Sequence, residues 1–292
     1  MEGLAPIDGW AILAIMAKAA EYLMSLLAMG GPLFLVAFRQ APSEVRRLAR
    51  RIAVAAALVG LVALALRFGI RAARISGMGL PGAADPVMLG IVWDSPLGTA
   101  AIWRGLGHLL VLAVMVGGKG GLGAALIGAL LIAVSYTFIG HALTEPRWLL
   151  SALLTIHLLA VAFWIGALAP LFRAVGHPQG VALLHRFGHL ATGAVAALVL
   201  VGVVFAGLLT GSVAALVTTA YGWTLLLKIA VVTGLMLLAA VNKWRLVPAL
   251  ASGTGSAATR LRRSIRLEAF AVLLILVVTA TLTSVTTPPV NL

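Results

Sequence analysis

Charged and imidazole side chains interrupt the apolar stretches of this chain at telling intervals. Lys18 and Glu21 stand three residues apart, and Arg104 and His108 four. Either spacing puts both side chains on one face of a helix. His157 and Trp164 are seven apart, again one face, and Arg67, Arg71 and Arg74 line one stripe. Lys228 stands alone in another apolar run, and His141 closes one. Imidazole nitrogen suits borderline and soft metals, as thioether sulfur suits Cu(I). The chain has no cysteine. Disulfides and zinc–thiolate sites are therefore excluded, and a soft-metal site must be built from His and Met. The metal candidates are His141, His157 and His108. Lys228, Arg104 and Glu21 complete the expected pocket.

Secondary metal candidates lie outside this set. His185 and His189 are four residues apart, with His177 nearby, and Met78 and Met88 fall in a connection rich in Gly and Pro. Met16, Met24 and Met29 share one stretch and read as membrane filler. Arg71 and Arg74 are placed to snorkel toward lipid headgroups. Thr279, Thr281, Thr283, Ser284, Thr286 and Thr287 crowd the end of the last apolar run, where hydroxyls bond backbone and pack helices.

The elements that position these residues follow from composition. Apolar residues make up 62% of the 292 and charged residues only 10%, against about 25% charged in a soluble domain. A helix needs roughly 20 apolar residues to cross the hydrocarbon. Eight stretches qualify: Trp10–Phe38, Arg51–Ile75, Leu97–Val116, Leu122–His141, Leu149–Phe172, Phe187–Leu209, Tyr221–Trp244 and Ile265–Thr287. The expected fold is an all-α integral membrane protein, one polytopic domain over residues 1–292. The opening residues before Trp10 carry no basic stretch, so the first helix is expected to stay in the mature protein.

Orientation follows from charge. Arg39, Arg46, Arg47, Arg50 and Arg51 fill the first joint, Lys119 the third, and Arg173 and Arg186 the fifth. Lys243, Arg245, Arg260, Arg262, Arg263 and Arg266 fill the seventh, so that fourteen of 21 basic residues lie in odd joints. The positive-inside rule sends these joints to the cytoplasm and both termini outside. The same rule accounts for the net charge of +13 without nucleic acid. Counted at about 1.5 Å per residue, Lys18, Glu21, Arg67, Arg104, His108, His157 and Lys228 all fall roughly 9–17 Å below the outer surface. Charge at that depth points to function, here a pocket open to the periplasm. The connection Ser76–Ser95 spans its mouth and is expected to act as a lid, with Met78, Met88, Asp85, Asp94 and Trp93 available to hand over a metal.

The chain also repeats. Gly98 precedes Arg104 by six residues, as Gly222 precedes Lys228; Glu21 precedes Gly30 by nine, as His157 precedes Gly166. Four helices per half makes the halves, 1–142 and 143–292, parallel repeats.

The run His157–Leu168 (HLLAVAFWIGAL), with Gly140-His141-Ala142, Arg186-Phe187, Tyr221-Gly222 with Lys228, Glu268 and Pro288-Pro289, resembles the signature of the copper resistance D (CopD) family. Gly98 and Arg104 fit the family's first half. His189 stands where the family more often has a small residue. The resemblance implies a multi-pass protein of the bacterial inner membrane that handles copper, with a periplasmic copper-binding protein of the CopC type as partner. Copper uptake from the periplasm through the His-lined pocket is the expected function, without enzymatic activity. No phosphate-cradling Gly-rich loop is present to drive it with ATP. The alternative is a redox protein with haem b. His157 and Lys228 are similar in placement to the paired haem ligands of HemJ-type protoporphyrinogen oxidases, and the excess of cations would suit haem propionates.

Overall fold

Inside hydrocarbon every backbone amide must be satisfied within the chain, so apolar segments of this length become helices. The computed structural model describes residues 3–140, 146–210 and 212–287. Among them eight helices are long and apolar enough to cross a membrane. They are α1 (Gly9–Ala37), α2 (Ser43–Ser76), α3 (Pro96–Met115), α4 (Gly118–Phe138), α5 (Arg147–Ala174), α6 (Gly180–Thr210), α7 (Ala220–Ala251) and α8 (Ala257–Leu282).

The number of spans agrees with the sequence, but several boundaries move. α2 begins at Ser43 rather than Arg51, α6 at Gly180 rather than Phe187, and α8 at Ala257 rather than Ile265. In each case a basic amphipathic stretch continues the helix beyond its apolar core. Hydropathy marks the part that lies in lipid, not the part that hydrogen-bonds as a helix. At its far end α7 passes through a π turn, Asn242–Leu246, before it stops at Ala251. α4 ends in a 3₁₀ turn at Tyr136–Phe138. His141, expected at its end, lies outside the described residues.

α1 is the central helix and packs on α2, α3, α4, α5 and α8. Its side-chain-free stretch makes this possible. A Cβ at Gly30 would sit 2.6 Å from the Gly166 Cα of α5, and one at Gly166 would sit 2.5 Å from the Gly30 Cα. Helices in lipid associate through such close backbone contact rather than through hydrophobic exclusion. The chain ends meet as well: Ala5 N–H donates to Val285 O and Thr287 N–H to Gly3 O, at 2.8 and 3.0 Å. Both ends of the described chain therefore lie at the same end of the bundle, here called the loop end. The arginine-rich joint between α1 and α2 marks the opposite, basic end.

The connection between α2 and α3 has structure of its own. It forms two short helices, Leu80–Ala83 and Pro86–Trp93. Asp85 caps the second by accepting from Met88 N–H at 2.9 Å. Gly82 lies against Ser76 and Ala73 of α2, and the Trp93 ring packs 6.1 Å from that of Phe68. Gly77 and Gly79 line a cavity of about 270 Å³ with Asp8, Trp10 and Arg74.

α6 and α7 stand apart from this scheme. Only 11% and 6% of their apolar cores are buried in the chain, against 33–44% for the other six. The first half is tightly packed and the second is open along these two helices.

Candidate functional site

The apolar faces of α1 to α4 close around one acid. Glu21 is fully buried and pairs with two arginines, Arg67 of α2 and Arg104 of α3. Arg104 is itself fully buried. Its Nε donates to Ser135 Oγ at 3.0 Å, and its guanidinium carbon lies 3.7 Å from the centre of the Tyr136 ring. Both partners come from the end of α4. Tyr136 then donates its hydroxyl to Ser25 Oγ at 3.1 Å, and Ser25 Oγ lies 3.4 Å from His108 Nε2. The His108 ring occupies the space that Gly60 leaves in α2; a Cβ there would fall 2.5 Å from its Cε1. Sequence spacing alone thus placed Glu21, Arg104 and His108 correctly on inward faces.

Lys18 behaves differently from its spacing. It shares a face with Glu21 but donates to the Thr283 carbonyl of the chain following α8, at 2.7 Å. Glu21 is taken by the arginines instead, because guanidinium forks match a carboxylate and lysine is a point charge. Thr283 also shares a hydrogen bond with the Tyr22 hydroxyl at 3.3 Å. One network thus joins α1, α2, α3 and α4, and a second contact ties α1 to the end of α8. Lys18 lies in the field of Arg67, Arg71, Arg74 and Arg104. Lys18 and these arginines outnumber the one buried acid of the network, Glu21. Arg104 Nη2 and His108 Nδ1 are buried without a hydrogen-bond partner.

His157 and Lys228 lie apart from this network, in the second half. Lys228 of α7 is the charged group that acts on His157 of α5. The His157 Nδ1 is buried and has no hydrogen-bond partner. Both residues are half-buried, on helices that border the open side. Among the described residues no three of His, Asp and Glu gather as a metal cluster.

The other candidates disperse. Met16 faces outward, 53% exposed, and Met29 is in the core. Met78 is exposed and Met88 half-buried on the α2–α3 connection, where Asp85 is committed to capping. At the basic end His185 and His189 line one cavity of about 130 Å³ with Lys243 and Trp244. His177 lies in the turn before α6 and accepts from Gln179 N–H.

Sequence reasoning missed the neutral members of the network: Ser25, Tyr22, Ser135 and Tyr136. Ser25 stands four residues beyond Glu21, a signal in plain view. Nothing in a single sequence marks Tyr136, because its role depends on α4 meeting α1. It also missed Asn242, which opens the π turn of α7 and donates to Glu268 of α8.

The fold and the buried charge define a multi-pass membrane protein with a polar interior, consistent with a bacterial inner membrane. Residues 7–148 match the family model described as copper resistance protein D-like, N-terminal domain, and residues 181–282 match that of copper resistance protein D. The chain belongs to the copper resistance D family. No curated protein and no solved structure matches it.

Proposed function

We propose that this protein carries copper across the membrane from the loop end, which the positive-inside rule places in the periplasm. The family supports copper as the cargo. The observation that carries the reading is the placement of His157 and Lys228, both half-buried, beside the loosely packed helices α6 and α7.

The repeat gives this pair its meaning. Arg104 corresponds to Lys228 if Gly98 and Gly222 are equivalent. Glu21 corresponds to His157 if Gly30 and Gly166 are equivalent, and those two glycines touch. A parallel repeat about an axis through that contact accounts for it, since equivalent residues meet on such an axis. The first half then holds a locked acid–guanidinium pair at the two positions. The second holds an imidazole and an amine. Both of these can present a neutral nitrogen, whereas a guanidinium cannot. Copper is accordingly passed by His157 in the second half, and the cationic first half acts as a rigid wall. His108, beside Arg104, helps hold that wall. His141 and the connection with Met78 and Met88 are the receiving groups for copper from a periplasmic CopC-type donor.

The same two residues are the basis of a second reading, in which His157 and Lys228 bind haem b and the protein is a redox protein. One preparation separates the two. Protein purified in mild detergent is expected to be free of a Soret band and to retain copper after dialysis, less so in His157→Ala. A Soret band that disappears in His157→Ala would establish the haem reading instead.

A further inference from the structure

A second buried carboxylate lies apart from the Glu21 network. Glu268 sits near the middle of α8 and is 3% exposed. Among the described residues no Lys, Arg or His lies within ion-pair distance of it. The charged groups of its own helix and its neighbours contact other residues or are exposed, as are Arg260 and Arg263 of α8. Arg262 and Arg266 of α8 lie over the Phe172 ring, at 5.8 and 5.7 Å. On α7, Lys243 donates to Thr192 at 2.6 Å, Arg245 is exposed, and Lys228 faces His157. On α5, Arg173 pairs with Glu44 at 2.8 Å. On α1, Glu21 holds its two arginines and Lys18 bonds the Thr283 carbonyl.

Neutral groups surround Glu268 instead. Asn242 Nδ2 donates to Glu268 Oε1, and the Trp164 indole of α5 lies beside the carboxyl. Asn242 Oδ1, Ser264 Oγ and Trp164 Nε1 are buried with no hydrogen-bond partner. Ser264 stands four residues before Glu268, on the same face of α8. Asn242 opens the π turn of α7. Such turns are frequent at functional sites.

We propose that Glu268, with Asn242, Ser264 and Trp164, is a proton-binding site that drives movement of copper through the second half. The chemistry of the surrounding atoms selects a proton over a metal ion. The Asn242 amide N–H is donated to the carboxyl and the unpartnered Trp164 N–H is buried on the neighbouring helix; N–H groups cannot coordinate a cation. They do serve a carboxylate. The acid form needs an acceptor for its O–H, and Ser264 Oγ and Asn242 Oδ1 are the buried acceptors left over; half a turn of the Asn242 amide exchanges donor for acceptor. Each protonation state thus has partners waiting. Loading is a simple transfer, –COO⁻ plus H⁺ to –COOH, with no redox partner. An unpaired carboxylate in hydrocarbon is costly, so a proton lost here must be replaced from one face or the other. The binding of the proton stands on this geometry alone; its coupling to copper rests on the proposed transport function.

The test uses the full chain in lipid vesicles. Infrared difference spectra between acidic and alkaline medium, without copper, should show a protonated-carboxyl band that Glu268→Gln lacks. Glu268→Asp should retain the band at a shifted midpoint, which guards against misfolding. Superimposable titrations of the wild type and Glu268→Gln would overturn the proton site. For coupling, copper accumulation driven by a pH gradient should be lost in Glu268→Gln relative to copper exchange at equal pH. Gradient-driven accumulation equal to the wild type would overturn the coupling. A wild-type protein that moves no copper at all would contradict the transport reading, and the infrared titration would still decide the proton site.

Discussion

A carboxylate shared between two arginines is the most constrained feature at the level of single residues. Glu21 and Arg104 are both fully buried, so neither can fall back on water. Replacing such a pair with apolar groups is often tolerated, but removing one partner strands the other. Glu21→Gln leaves Arg104 and Arg67 facing each other without an anion between them. It is expected to cost about 3–5 kcal/mol of stability, read as a lowered midpoint for unfolding in mixed detergent micelles. The loss should exceed that of Lys18→Gln, because Lys18 bonds only a neutral carbonyl. The inward direction of Glu21, Arg104 and His108 was legible in their spacing and apolar surroundings. Their partners were not. Ser25, Ser135 and Tyr136 look like ordinary residues of apolar helices until the helices are brought together. The shared face of Lys18 and Glu21 does not bring the two together, because two arginines from other helices, invisible to local spacing, compete better for the carboxylate.

Helices contribute through how closely they approach. α1 and α5 meet at Gly30 and Gly166, where a Cβ on either would overlap the opposite backbone. Gly166→Leu must therefore push α1 from α5 and is expected to abolish the folded protein, measured as monodisperse yield from the membrane. Gly193→Leu on α6, where nothing lies within 4 Å, is the matched control and should be tolerated. Hydropathy made the count of eight helices readable from sequence because hydrocarbon thickness sets the length of an apolar run. It misjudged the starts of α2, α6 and α8, whose helices begin before the apolar runs that hydropathy marks. It also missed the short helices Leu80–Ala83 and Pro86–Trp93. These are too brief to show a period; one is held by the Asp85 cap and both pack against α2.

For the whole molecule, the two halves differ in packing and in the polar groups they carry. The first encloses a cationic network; the second leaves α6 and α7 largely uncovered and carries His157, Lys228 and Glu268. Orientation decides which way this asymmetry faces. The charge of the odd joints predicts that the joint between α6 and α7 lies outside and that between α7 and α8 inside. Ser212 and Ser252 are exposed in these two joints, and the chain has no native cysteine to interfere. An impermeant thiol reagent added to the periplasmic face should label Ser212→Cys and leave Ser252→Cys untouched. The opposite pattern would invert the direction of every step proposed for copper.

Copper flux through the second half tests the account most directly. Uptake should be measured in cells that depend on this protein for copper, with wild type and His157→Ala present in the membrane at equal amounts. The account predicts that uptake in His157→Ala falls to the level of cells lacking the protein, whereas His185→Ala at the basic end keeps most of it. Full uptake by His157→Ala at normal expression would contradict the account, since no path through the second half would then run past His157.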